Sequence, residues 1–163
     1  MRRRRNAVTV APGFLMEHQA FTVWKGSGNH GSGRVTTRNG ALREIRYAGR
    51  IGPGRINKAV NNRKITCTEE LIAAAHAVSF SMALSDAMDR IGFPAERITT
   101  TATVTSANLG KRWSVTSILL DVIARVPGAR KIDFIDAAVG AKTDCIISRL
   151  MSTNISLKAR LES

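Results

Sequence analysis

Two cysteines, Cys67 and Cys145, are the thiols of this 163-residue chain. A thiol does redox chemistry as its thiolate, so the surroundings decide its reactivity. Cys67 stands at the head of a long apolar run, where the dipole of a helix favours the thiolate. Cys145 follows Thr143-Asp144, a pair suited to capping a short helix that begins at the cysteine. No second Cys or His stands at zinc-site spacing from either thiol or from His76, so no metal site is expected. The glycine-rich segment Gly26 to Gly33 lacks the Lys-Ser/Thr ending and the following helix of a phosphate-binding loop. It reads as a hairpin turn, and no cofactor is implied. Two cysteines in a cytosolic chain are free or redox-active more often than they form a structural bridge. A Cys67–Cys145 redox pair and two unlinked thiols are both open.

The element that has to position such groups is the stretch from Thr66 to Ile91. Thr66 and Glu69 have capping-box spacing ahead of the apolar run. Gly92 and Pro94 end it. Leu71, Ala75, Val78, Met82 and Ser85 share one face of the helix, and Ile72, Ala73, Leu84, Ala87 and Met88 make the other faces apolar. A helix apolar on most sides is buried in a domain or an oligomer. His76, Ser79 and Ser81 are its polar interior groups. His76 reads as a hydrogen-bonded core residue, Met82 and Met88 as core filler. Trp24 and Trp113 read as strand packing, with Trp113 also a candidate lining for an apolar pocket.

Strands are expected at Gln19–Trp24, Arg34–Thr37 and around Leu42, Ile45 and Tyr47. After the helix, Ile98, Thr100, Ala102 and Val104 alternate with Thr99, Thr101, Thr103 and Thr105, a strand with one polar face. Trp113–Ala124 returns as a second strand. Asp133 is placed to cap a helix through Ala141, the short helix at Cys145 follows, and Ile155, Leu157, Ala159 and Leu161 close the chain as a strand. This order predicts an α+β fold with antiparallel sheets. Residues 1–15 read as a basic, flexible extension and 16–163 as a single domain, with a polar, basic loop from Asn57 to Lys64.

The chain carries 25 Lys and Arg against 12 Asp and Glu, a net charge of +13. Residues 1–64 hold 14 basic and 2 acidic residues, and residues 65–163 hold 11 and 10. Such a basic half suits nucleic acid or acidic headgroups. No helix-turn-helix, zinc-finger or RNP motif accompanies it, so a solvated surface is the plainer reading. No membrane span or signal peptide is expected, and the protein is read as soluble and cytoplasmic.

Glu69-Glu70-Leu71-Ile72-Ala73-Ala74-Ala75-His76-Ala77, followed by Phe80-Ser81-Met82-Ala83-Leu84-Ser85, resembles the signature helix of the OsmC/Ohr family. The resemblance implies thiol-dependent reduction of organic hydroperoxides by a dithiol, and an intertwined homodimer with the long helices buried between antiparallel sheets. It also implies site residues: Ser79 at the position of the attacking cysteine, Cys145 as the resolving cysteine, and Glu69 as the assisting carboxylate. The arginine of the site is carried over to Arg50, with Arg55 as the alternative. Ser79 is the departure that matters. Val78, Thr66-Cys67-Thr68 and Ile146 also depart from the family pattern, which favours natural divergence over a single engineered exchange. With Ser79 in place the two-cysteine cycle is expected to be impaired or absent. The alternative is a non-catalytic binding protein, engaging nucleic acid through the basic N-terminal region.

Overall fold

The computed structural model describes residues 16–27, 31–48, 65–110 and 112–162. The extension over 1–15, the Asn57–Lys64 loop and the candidate arginines Arg50 and Arg55 lie outside the described residues, as does the middle of the glycine-rich turn.

The described residues form two three-stranded sheets and three helices. The first sheet comprises β1 (Ala20–Lys25), β2 (Ser32–Thr37) and β3 (Ile45–Ala48). It is an antiparallel meander with Thr22 opposite Val35 and Gly33 opposite Tyr47. The turn after β1 connects a hairpin, as its composition predicts. This sheet touches the rest of the described chain sparsely. Its tie is the pair of backbone hydrogen bonds by which Thr66 joins Arg46 and Ala48. Phe21 and Val23 are left exposed.

The second sheet carries the core. β4 (Arg97–Asn108) and β5 (Trp113–Arg125) are antiparallel, and β6 (Asn154–Glu162) lies on the other side of β5. β6 runs parallel to β5, so this sheet is mixed rather than antiparallel throughout. The reason is topological. Between β5 and β6 the chain crosses back through α2 (Lys131–Asp144) and α3 (Ile146–Leu150), and a crossover of that length returns a strand in the same direction. Alternation fixes which face is inward. Leu120 stands opposite Ala102 and Leu157, and Val122 opposite Thr100 and Ala159. Thr99, Thr101, Thr103 and Thr105 are exposed on the far face.

Helix α1 spans Thr68–Arg90 and packs against β4, α2 and α3. Its buried residues are His76, Phe80, Leu84 and Met88, a stripe at four-residue spacing along one face. Phe80, Leu84 and Met88 join Leu120, Val122, Phe134 and Ala138 in the core. The opposite face is not covered by the described chain: Val78 is 61% and Met82 65% exposed. The helix is thus half-embedded, not enclosed on all sides. Its 23 residues are also long and apolar enough to cross a membrane by length and composition, contrary to expectation from the sequence. Packing in the core accounts for the apolar residues of its buried face alone.

The helix ends differ from their sequence signals. Cys67 is the N-cap of α1, one residue beyond the expected capping box, and the Thr66 hydroxyl donates to Glu70 at 2.7 Å instead of closing onto the helix. At the other end Gly92, with φ +82°, accompanies a return of the Phe93 amide to Met88. Asp133 lies inside the first turn of α2, and Arg130 is the cap; the two side chains form a paired ion bridge, Nε and one Nη each 2.7 Å from a carboxylate oxygen. The guanidinium holds the Asp133 carboxyl below its usual range.

Candidate functional site

The α2–α3 junction turns on a single residue. The Cys145 amide donates to Ala141 and its carbonyl accepts from Arg149, so Cys145 ends one helix and starts the next. Thr143 does not cap α3; its hydroxyl bonds back to Val139 inside α2. The corner places the Cys145 side chain, 1% exposed, against α1. There Sγ donates to Ser79 Oγ at 3.2 Å. Residues 79 and 145, separated by 66 positions, are therefore brought together as the resemblance implies.

Two further side chains join them. Ser148, one turn along from Cys145, places its Oγ 2.9 Å from His76 Nε2. Burial pushes the Cys145 thiol up. The Ser79 hydroxyl, the Ser148 amide and hydroxyl and the Ile147 amide pull it down and prevail, so the thiol ionises below its ordinary value. His76 is fully buried, and burial lowers its pKa. It is hydrogen-bonded in the core as expected, but Nδ1 has no partner among the described residues. Ser148 was not singled out from the sequence. Its signal was the three-residue spacing from Cys145, which brings a hydroxyl back over a helix start. A neighbouring contact, Ser81 Oγ to Thr100 Oγ1 at 2.8 Å, ties α1 to β4.

The other expected site residues are elsewhere. Glu69 is in the first turn of α1, on the continuous helix that carries Ser79. Ten residues at 1.5 Å each put the two about 15 Å apart along the axis. Glu69 instead lines a cavity of about 320 Å3 together with Cys67, Ala73, Ala102, Val104 and Trp113. Trp113 lines a pocket as expected, but the lining is mixed, with Glu69, Glu70, Thr103 and Ser106 beside the apolar residues. Cys67 departs from expectation: burial, together with the Glu70 and Glu69 charges, outweighs the backbone amides and raises its pKa. Both cysteines are free, and twelve helical residues, about 18 Å, separate Cys67 from Ser79. The Cys67–Cys145 pair is not formed within the chain. Among the described residues no three His, Cys, Asp or Glu side chains gather into a metal-holding group.

No family model matches the sequence. Over 140 residues the chain is 34% identical to peroxiredoxin OsmC of Escherichia coli K12, spanning 86% of this chain and 93% of that protein. The chain belongs to the OsmC/Ohr family. Solved structures carry the same fold at lower identity. An OsmC-like protein of unknown function from Vibrio cholerae superposes with a TM-score of 0.71 at 17% identity, covering 89% of this chain and 99% of that one. An organic hydroperoxide resistance protein from Elizabethkingia anophelis gives 0.64 at 21%, covering 92% and 98%. The half-embedded α1 is thus part of the fold of a peroxiredoxin-type stress-protein family.

Proposed function

We propose that this chain is an OsmC/Ohr protein whose two-cysteine reduction of organic hydroperoxides is interrupted at residue 79, and that it works as a cytoplasmic homodimer. The observation that carries the reading is the 3.2 Å contact between Ser79 Oγ and Cys145 Sγ. A sulfur in place of the Ser79 oxygen lies within disulfide-bonding reach of Cys145 after a small side-chain adjustment.

In the two-cysteine cycle a thiolate at position 79 attacks the outer oxygen of ROOH. The O–O bond breaks, ROH leaves, and a sulfenic acid remains. The Cys145 thiol condenses with it, releasing water and forming a disulfide that a dithiol reduces. An alcohol at position 79 cannot begin this cycle. It holds its proton far more tightly than a thiol, whose pKa is about 8.5, and oxygen has no sulfenic state.

Glu69, about 15 Å from Ser79 on the same helix, serves this site from a second protomer, with Arg50 holding the leaving oxygen. Support for a homodimer comes from the uncovered Val78 and Met82 on α1 and the exposed Phe21 and Val23 on a sheet that packs sparsely on its own chain. The test is consumption of cumene hydroperoxide coupled to a dithiol. Ser79→Cys is expected to turn over at least a hundredfold faster than the unaltered chain; equal rates would contradict the assignment of position 79.

A further inference from the structure

The two-cysteine cycle gives Ser148 and His76 no task, yet they form the second of two rungs between α1 and α3. Ser79 meets Cys145 at 3.2 Å, and His76 Nε2 meets Ser148 Oγ at 2.9 Å. His76 and Ser79 are three residues apart on α1, and Cys145 and Ser148 three apart over the first turn of α3. Residues at that spacing share a helix face. The rungs therefore lie one turn apart on both helices, in antiparallel order, and together they set the direction and register of α3 on α1. Little else holds α3. None of its five residues is buried, and Ile146 and Leu150 are 67% and 72% exposed, while Ile147 packs half-buried against the core. A helix this short has no stability of its own and depends on such contacts. The rungs are unequal. A thiol is a weak donor, so the Ser79–Cys145 rung is the weaker, and the hydroxyl–imidazole rung carries the attachment. His76 is fully buried, with Nδ1 unpartnered among the described residues. A leucine would fill that place without an orphan nitrogen, so the one bond the imidazole makes, rather than its packing, accounts for it.

We propose that the Ser148–His76 hydrogen bond is a latch that holds α3 on α1, and that it thereby keeps the Cys145 thiol closed in and aimed at position 79. Ser148 and His76 are positioning residues, acting on the sulfur through the corner that carries it. The description of Cys145 as the resolving sulfur rests on the family reading; the closing-in of its thiol does not. With the latch shut, Cys145 is 1% exposed and Ser79 is its neighbour across the helix contact. With the latch open, the corner loses the rung beside it and the thiol meets solvent. α2 and β6 still hold the chain on either side, so the opening is local. The loss of one hydrogen bond that strands a buried partner shifts such an opening by about tenfold. In a chain with sulfur at position 79, the latch acts on the second step, in which the Cys145 thiol condenses with the sulfenic acid, the S–S bond forms and water leaves. The first step, attack on the hydroperoxide from position 79, does not depend on it.

The experiment follows modification of Cys145 by 4,4′-dithiodipyridine in the full chain, with Cys67→Ser so that a single thiol reports. Rates are taken folded and in urea at one pH, and the global stability of each variant is measured by urea unfolding. Ser148→Ala and His76→Leu are expected to raise the folded-state rate about tenfold. Ser148→Thr, which keeps the hydroxyl, and His76→Gln, which keeps a polar group at the place of Nε2, should stay within about threefold of the unaltered rate. The double variant, Ser148→Ala with His76→Leu, should exceed neither single by more than about twofold, because both break the same bond. Ser148 is half-buried, so its variants decide the question if His76→Leu unfolds the protein. A Ser148→Ala chain modified at the unaltered rate, or rates that follow global unfolding in every variant, would overturn the proposal. The Ser79→Cys background separates the latch from the family reading. There Ser148→Ala should leave oxidation at position 79 by cumene hydroperoxide within about threefold and slow the 79–145 disulfide about tenfold. An inert Ser79→Cys chain, with Cys145 reacting fast in Ser148→Ala, removes the two-cysteine assignment and keeps the latch. A Ser79→Cys chain that turns over, with Cys145 of Ser148→Ala as closed as before, removes the latch and keeps the family reading.

Discussion

Charging the uncovered face of α1 should take the protein apart. Val78 and Met82 are 61% and 65% exposed on the chain alone. Full burial of such side chains stabilises by about 1.5–3 kcal/mol each. The exposed share of roughly six-tenths therefore leaves about 1–2 kcal/mol per side chain for a partner to recover. A two-fold interface uses the same patch twice, so four side chains are involved and the face is worth roughly 4–8 kcal/mol of association. Val78→Asp with Met82→Asp forfeits that gain and buries like charges. At 1.4 kcal/mol per factor of ten, the lower figure alone weakens dimerisation by roughly a thousandfold. Sedimentation equilibrium over nanomolar to micromolar protein reads this directly. A dimer is expected for the unaltered chain, and a monomer with retained α1 helicity for the double variant. The reasoning fails if the unaltered chain is monomeric at micromolar concentration, or if the charged variant dimerises as tightly.

Three other outcomes follow from the same geometry. Phe80 is fully buried in the stripe that joins α1 to β5 and α2, so Phe80→Ala should cost about 3–5 kcal/mol in urea unfolding. A loss under 1 kcal/mol would mean that the stripe is not the core. Burial lowers the His76 pKa, so the unfolded chain binds more protons once pH falls below about 6.5, the unperturbed value. Stability should be at its plateau above that pH and decline as pH drops toward the folded-state value, with a flatter profile in His76→Gln. A profile identical in both would place the titration elsewhere. Trp113 and Glu69 line one cavity, and Glu69→Gln in a Ser79→Cys background should lower hydroperoxide turnover at least tenfold if the partner's carboxylate reaches the site. Turnover unchanged by this exchange would leave Glu69 with no part beyond the helix start.

The long helix, its stop at Gly92 and the alternation of β4 were legible because periodicity and chain breakers are local properties. The direction of β6 was not, since Ile155, Leu157, Ala159 and Leu161 alternate identically in parallel and antiparallel pairing. Nor could composition separate the covered face of α1 from the uncovered one. His76 and Phe80 point into the core while Val78 and Met82 do not, and both faces are apolar. The capping-box spacing of Thr66 and Glu69 misled because Thr66 is held by the bridge to β3 and bonds Glu70. The Ser79–Cys145 contact depends on the sharp corner at Cys145, a tertiary feature reached through family likeness rather than pattern. Ser148 escaped notice for the same reason, as its contact with His76 exists only once α3 is folded against α1.

The claim on which the account turns is that side chains 79 and 145 face each other across the α1–α3 contact. Peptide mapping of Ser79→Cys after one equivalent of hydroperoxide tests it most directly. A disulfide joining positions 79 and 145, formed in step with hydroperoxide loss, is the expected result. Oxidation that leaves position 79 unlinked to Cys145, or links it to Cys67 instead, would contradict it.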